Sequence, residues 1–263
     1  MIDETREMTT RPEPGPGETL DRLGGEWRVF QLERGHRYAT DDVLVAWTGL
    51  RARPDARRLL DLGSGVGSVG LLALLRMAPA ARLVSVEVQE VSAALMRKTV
   101  AFNGLDERVD VIHGDLRDAA RYVGTGPFDL VLANPPYLPP ERAKASPNPQ
   151  RAGARLELRG DVFDYCAAAA RALAPDGRLC FCHAARDPRP ERAIEASGLA
   201  LLARQDVVFR HGRPPMIALY TCGRGCGLGG SEATVLPTLE VRVADGGRSE
   251  AYASVRRELL IED

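Results

Sequence analysis

The sequence predicts an α/β fold built on a doubly wound, mostly parallel sheet. Short β-rich runs alternate with helical runs from Leu59 onward, the pattern of strands covered on both faces. A glycine-rich turn joins the first of these strands to its helix, and an acidic residue closes the second. The chain of 263 residues is long enough for one such domain with short additions, and its 44% hydrophobic residues supply a sizeable core.

The elements follow in order. Residues 1–24 are rich in Pro, Gly, Glu and Thr and are expected to be a disordered leader. Residues 25–57 form an N-terminal segment, expected to cap the active site, with Trp27, Phe30 and the run Gly35-His36-Arg37-Tyr38-Ala39-Thr40-Asp41-Asp42. The domain itself is expected over 58–222. Leu59–Leu62 reads as its first strand and Val69–Met77 as the helix behind it, stopped by Pro79. Leu83–Val88 alternates as a second strand, and Val91–Phe102 carries a helical apolar stripe. Val109–His113 and Phe128–Ala133 are the third and fourth strands, the latter ending at a Pro-Pro break. Four prolines and several arginines make 138–159 a mobile loop in this reading. A helix over Val162–Leu173 ends at Pro175-Asp176-Gly177, and Leu179–Cys182 is the fifth strand. Leu199–Phe209 and Met216–Tyr220 flank the turn His211-Gly212-Arg213-Pro214 as a hairpin. Residues 223–263 read as a glycine-rich linker and a short appendage, with a strand over Thr238–Val243 and a helical turn at Val255–Leu260.

Composition excludes several classes. A net charge of −1 gives no global basic field, so any nucleic-acid contact must come from a local patch. The basic residues are nearly all arginine, with Lys98 and Lys144 the only lysines. The five cysteines (Cys166, Cys180, Cys182, Cys222, Cys226) are odd in number and match neither a disulfide framework nor a zinc pattern. Met1 to Gly17 lacks a signal-peptide core, and no apolar run approaches the length of a membrane span. A reducing cytoplasm, no membrane association and no metal are the expectations, with a monomer favoured.

Leu60-Asp61-Leu62-Gly63-Ser64-Gly65-Val66-Gly67 sits at a strand-to-helix junction. Its glycines allow positive φ and close ligand approach, and the helix start beyond offers free N–H groups to a carboxylate. Glu87 ends the second strand, where an acid can accept both hydroxyls of a ribose. Three readings stay open on the loop alone. It suits S-adenosylmethionine (SAM); Gly65-Val66-Gly67-Ser68-Val69-Gly70 also spells a dinucleotide fingerprint; and a structural turn needs no ligand. Asp115, after the third strand, is a helix cap or turn residue by itself and an acceptor for a cofactor adenine in this context, with Leu116 packing on the ring.

Asn134-Pro135-Pro136-Tyr137 follows the fourth strand directly. A conjugated exocyclic amine or amide is a poor nucleophile because its lone pair is delocalised. Two acceptors aimed at its N–H bonds favour a tetrahedral nitrogen and stabilise the charge that develops. The Asn134 side-chain oxygen and the Pro135 carbonyl are placed to do this, the prolines stiffen the corner, and Tyr137 offers a face to a planar target. The bland alternative is a Pro-Pro turn closed by a tyrosine, but its position after the fourth strand weighs against that and against the dinucleotide reading of the loop.

Over residues 35–222 the chain resembles the class I SAM-dependent N-methyltransferases of the Asn-Pro-Pro-Tyr type. The resemblance implies a seven-stranded Rossmann-like sheet with an antiparallel C-terminal hairpin, and SAM as cofactor. The run Gly35–Ala46, with Thr40-Asp41 before an aliphatic stretch, is similar to the bacterial tRNA(Val) adenine-N6 methyltransferases. This implies adenine N6 in tRNA or another RNA as target, with Tyr38, Thr40 and Asp41 over the cofactor. Without the resemblance, Asp41 reads as a helix N-cap, and the two roles can coexist. Expected cofactor residues are therefore Tyr38, Thr40, Asp41, Asp61, Gly63, Ser64, Gly65, Gly67, Glu87, Val88, Asp115, Leu116 and Asn134, with Asn134, Pro135 and Tyr137 catalytic. Arg142, Lys144, Arg151 and Arg155, with Arg159, are either a phosphate clamp beside Tyr137 or a solvated loop. The chain departs from the family at His36 and Leu138-Pro139-Pro140, which bear on the substrate. A protein glutamine methyltransferase acting on release factors is the alternative. Such enzymes usually carry a helical domain ahead of the core, and the stretch before the first strand here is short.

Overall fold

Leucine- and valine-rich runs bounded by glycine and proline become strands, and the stripes between them become helices. The computed structural model describes residues 11–140, 146–225 and 233–262. A hairpin of β1 (Glu18–Gly24) and β2 (Trp27–Leu32) leads into α1 (Thr40–Ala52). The α/β core follows as β3 (Arg58–Leu62), α2 (Ser68–Leu75), β4 (Arg82–Glu87), α3 (Glu90–Phe102), β5 (Val109–His113) and β6 (Phe128–Ala133). Next come α4 (Pro149–Arg155), α5 (Val162–Ala172), β7 (Leu173–Ala184), α6 (Arg189–Ala196), β8 (Leu199–Val208) and β9 (Ile217–Arg224). The chain closes with β10 (Thr234–Glu240) and α7 (Glu250–Glu258).

The main sheet runs β10-β8-β9-β7-β6-β3-β4-β5. Strands β5, β4, β3, β6 and β7 are parallel, β9 is antiparallel to both β7 and β8, and β10 lies parallel to β8. This is the expected mostly parallel sheet with its antiparallel hairpin, widened to eight strands by β10. The chain moves outward from β3 to β5 and returns to β6 on the other side of β3. That reversal opens a crevice at the carboxyl ends of β3 and β6, where ligands bind in such sheets. One core layer joins the sheet to α1, α2, α3, the β1–β2 hairpin and α7 through Leu44, Leu72, Met96, Phe30 and Val255. The other joins it to α5 and α6 through Tyr165, Ala169 and Ile194.

Three expectations are corrected. Residues 18–24, assigned to a disordered leader, form β1, because the polar stretch pairs with β2 and buries Leu23. The hairpin is bonded to α3, Phe30 N donating to Thr99 Oγ1 at 3.0 Å and Arg28 N to Asn103 Oδ1 at 2.9 Å. Within 138–159, assigned to a mobile loop, residues 149–155 form α4, capped by the Asn148 side chain with Pro149 in the first turn. Just beyond α4, Arg189 grips Glu157 with two 2.8 Å bonds. The closing helical turn is the full helix α7, whose Glu258 accepts from Trp47 Nε1 on α1 at 2.9 Å. Among the described residues no helix is long and apolar enough to cross a membrane.

Candidate functional site

A cavity of about 550 Å³ opens at the switch point, within the usual range for small-molecule sites. Its floor is the turn after β3. Gly63, Gly65 and Gly67 take φ values of 65°, 55° and 88°, which side chains with a Cβ rarely adopt. A Cβ on Gly63 would lie 2.2 Å from the Tyr165 hydroxyl, whereas one on Gly65 would meet nothing within 4 Å. Tyr165 of α5, which also lines the cavity, thus props the turn at Gly63, and the Gly65 backbone faces open space where a ligand can approach.

Glu87 ends β4 on the cavity wall and is buried. Its Oε2 accepts from Gly65 N at 2.8 Å and its Oε1 from Gln89 N at 2.7 Å. Burial pushes its carboxyl up, and the bonds from Gln89 and Gly65 pull it back. Each oxygen keeps a lone pair for a ligand hydroxyl. Asp115 also lines the cavity. Hydrogen bonds that it accepts from the Arg117 side chain and backbone N–H hold its carboxyl below the usual range despite partial burial.

On the opposite wall stands the Asn-Pro-Pro-Tyr corner. Asn134, Pro135, Pro136 and Tyr137 all line the same cavity as Glu87. Asn134 Nδ2 donates to Asp42 Oδ1 at 2.9 Å, and the Cys182 thiol donates to Asn134 Oδ1 at 3.0 Å. Asp42 lies on α1, and its Oδ2 accepts from Ala39 N at 2.8 Å. Tyr137 meets the buried His183 ring edge-on, centroids 5.9 Å apart. Burial raises the Tyr137 hydroxyl above its ordinary value and lowers His183 to about 4. At neutral pH this is an uncharged aromatic pair beside the acceptor.

The segment before α1 supplies the third wall with Gly35, His36, Arg37, Tyr38 and Asp41. It is tied down at both ends. Tyr38 N donates to Gln31 Oε1 at 2.8 Å and its hydroxyl to Arg22 O at 2.7 Å, while His36 N donates to Gln150 Oε1 at 2.5 Å. Arg151, Arg155 and Arg159 stand at the α4 side of the cavity, and Arg151 Nε donates to Gly35 O at 3.1 Å.

The structure thus brings Tyr38, Asp41, Gly63, Ser64, Gly65, Glu87, Val88, Asp115, Leu116, Asn134, Pro135, Tyr137, Arg151 and Arg155 to one cavity. Thr40, Asp61 and Gly67 do not line it. Thr40 Oγ1 faces the Tyr252 hydroxyl of α7 at 3.4 Å, and Gly67 caps α2 against Met96. Asp61 is buried beneath the turn, where its Oδ2 accepts from Gly70 N at 2.9 Å and its Oδ1 has no partner. Burial pushes its carboxyl up to about 8. Arg142 and Lys144 lie outside the described residues, as does Cys226; Cys180, Cys182 and Cys222 are buried and free. Sequence reading missed Asp42, Gln150, Tyr165 and Cys182 as parts of the site. Asp42, next to Asp41 at a helix start, carried a signal; Gln150 and Tyr165 carried none, because only tertiary packing brings them here.

Comparison with known proteins bears on the family and the fold. The model of the family described as "Methyltransferase small domain" matches residues 43–195. A Porphyromonas gingivalis protein named tRNA1(Val) (adenine(37)-N6)-methyltransferase is 31% identical over 59% of this chain and 61% of its own length. An Aeromonas hydrophila protein of the same name is 30% identical over 82% of this chain and 86% of its own. The chain therefore spans about three fifths of the Porphyromonas relative and most of the Aeromonas one. Among solved structures, a predicted O-methyltransferase of Agrobacterium tumefaciens superposes with a TM-score of 0.59 at 19% identity, covering 85% of this chain and 98% of that one. The tRNA m1G37 methyltransferase of M. jannaschii gives 0.50 at 13% identity, over 81% and 56%. At such identities these likenesses speak for the fold alone.

Proposed function

We propose, from the premise that this chain belongs to the methyltransferase small-domain family, that it methylates the exocyclic N6 amine of an adenine in RNA, with tRNA as the RNA and SAM as the donor. The observation that carries the reading is Asn134, half-buried and doubly hydrogen-bonded, on the wall of the cavity whose far side is Glu87. The names of the Porphyromonas and Aeromonas relatives support adenine N6 and tRNA.

The cavity fits SAM: the space and carbonyl at Gly65, which lacks a Cβ, the Glu87 lone pairs and the Asp115 carboxylate suit its amino-acid end, ribose and adenine in turn. Bound there, SAM supplies an electrophilic methyl group. The chain's own residues do the rest. Asn134 Oδ1 and the Pro135 carbonyl accept from the two N–H bonds of the target amine, so its lone pair is freed from the ring. Tyr137 stacks on the base, a contact worth ~1–3 kcal/mol. No general base is required, because the nitrogen turns acidic only once it has attacked, and its proton leaves to water. Positioning and preorganised acceptors then account for the rate. In this reading Arg151 and Arg155, which line the cavity, meet backbone phosphates flanking a splayed-out base.

The test is nucleoside mass spectrometry of tRNA lacking the modification, incubated with SAM and the purified protein. Appearance of N6-methyladenosine in tRNA is the expected result. Methylation of a release-factor Gly-Gly-Gln peptide, with none in any RNA pool, would replace this reading with the protein-glutamine alternative.

A further inference from the structure

The Asn134 amide has two ends, and only one of them is useful. Its oxygen must face the target amine; its NH₂ there would set donor against donor. Nothing in the Asn-Pro-Pro-Tyr corner chooses between the two orientations, which differ by a half-turn of the amide. We propose that Asp42 is a positioning residue for this site, its carboxylate fixing which end of the Asn134 amide serves as acceptor. The inference rests on the methyl-transfer reading above.

The geometry comes from three elements. Asp42 on α1 presents Oδ1 to Asn134 Nδ2 at 2.9 Å, and its own orientation is set by Ala39 N, 2.8 Å from Oδ2. An ionised carboxylate only accepts, so the amide nitrogen must face it. A flipped amide would set oxygen against oxygen at a residue only 6% exposed, an unpaired acceptor contact that burial makes costly. Cys182 on β7 reads the other end of the amide, its thiol 3.0 Å from Oδ1. A thiol is a weak donor, so it agrees with the orientation yet leaves the oxygen available to a stronger N–H. The charge on Asp42 also polarises the amide toward a more negative oxygen.

The titratable groups around Asp42 are Asp41 beside it, Asp61 on β3, Tyr137 after β6 and Cys182 on β7. Burial, and after it Asp41, pushes the Asp42 carboxyl up, while the bonds from Asn134 and Ala39 oppose this. Its ionisation therefore falls at higher pH than that of an ordinary carboxylate, and the orienting effect is present above that pH and lost below it.

Asp42→Asn is the discriminating variant. It keeps the shape but has one oxygen to serve both Ala39 N and Asn134 Nδ2. The chain holds three asparagines, Asn103, Asn134 and Asn148, so selective ¹⁵N-asparagine labelling gives a side-chain NH₂ spectrum that Asn134→Asp assigns by loss. In the wild type the Asn134 pair should move with pH while the Asn103 and Asn148 pairs stay still. Asp42→Asn adds a fourth pair from its new side chain, told apart by combining it with Asn134→Asp, and in it the Asn134 pair should shift and lose that pH dependence. In the tRNA assay Asp42→Asn should lower kcat roughly tenfold or more, remove the acid limb of its pH profile and leave the SAM Kd unchanged. An Asn134 resonance identical in the two proteins overturns the proposal, as does a shifted resonance with unchanged kcat. If Asp42→Asn does not fold, the wild-type titration decides, and an Asn134 pair that stays flat with pH overturns the proposal. Wild-type protein that methylates no RNA would sink the functional reading separately, and the resonance comparison would still judge Asp42.

Discussion

The two halves of the cavity hold their key polar groups by different means. Glu87, on the glycine-turn side, is gripped by backbone N–H groups, one from Gln89 two residues on and one from Gly65 in the turn it faces. Asn134, on the acceptor side, is gripped by side chains from elsewhere, Asp42 lying 92 residues away in sequence and Cys182 lying 48. Backbone donors come with the local fold and survive substitution of neighbouring side chains. Side-chain partners exist only if α1 and β7 dock where they do. The first half is a self-contained binding motif, and the second is a tertiary construction that depends on the N-terminal segment.

Mutations that separate the halves sharpen this contrast. Asn134→Ala should have the largest effect, a fall in kcat of ~10²-fold or more, comparable with losing one preorganised transition-state contact. Its SAM affinity should stay near wild type in calorimetry; a matching collapse of SAM binding would show that the halves are not separable. Glu87→Ala should give the opposite split. Loss of a hydrogen bond to a charged group costs about 1.5–3 kcal/mol, so SAM should bind roughly ten to a hundred times more weakly, with kcat at saturating SAM much less affected. Tyr137 sharpens the acceptor half further. Tyr137→Ala should raise the KM for tRNA severalfold while Tyr137→Phe stays near wild type, because stacking needs only the ring. Equal losses in the two variants would take the ring out of substrate binding.

The remaining effect belongs to Asp61, under the turn, and it concerns stability and not the reaction. Its carboxyl is raised from 3.8 to about 8 by burial, so between those values the folded protein holds a proton that the unfolded chain releases. Stability therefore falls as pH rises through that window, by at most about 1.4 kcal/mol per pH unit for one group. Glu87 and Asp42, also raised, contribute with the same sign. Asp61→Asn should make the decline of Tm with pH shallower; a slope equal to wild type would show that Asp61 does not titrate in that window.

Local patterns announced most of this molecule. The strands β3 to β6 and the turn after β3 lie close to where alternation and glycine spacing placed them, because burial on both faces of a parallel sheet forces apolar runs of that length. Glu87, Asp115 and Asn134 were legible because each stands at or just past the carboxyl end of a parallel strand. Strand β1 was not legible: its polar residues gain order from pairing with β2 and from contacts with α3. Helix α4 was hidden by the four prolines around it; its Asn148 cap is local, but Gln150 ties it to remote partners, His36 N and Ser92 Oγ.

The sequence by itself determined the sheet, the turn that faces the ligand and the corner that carries the acceptor, since each is written within a few consecutive residues whose sterics and hydrogen bonds are local. Only the tertiary structure decided which end of Asn134 faces Asp42, that Tyr165 props Gly63, and that Asp61 lies beneath the turn and off the cavity wall. Those outcomes depend on groups far apart in the chain meeting in a buried space, where an unpaired polar atom is costly and so selects one arrangement.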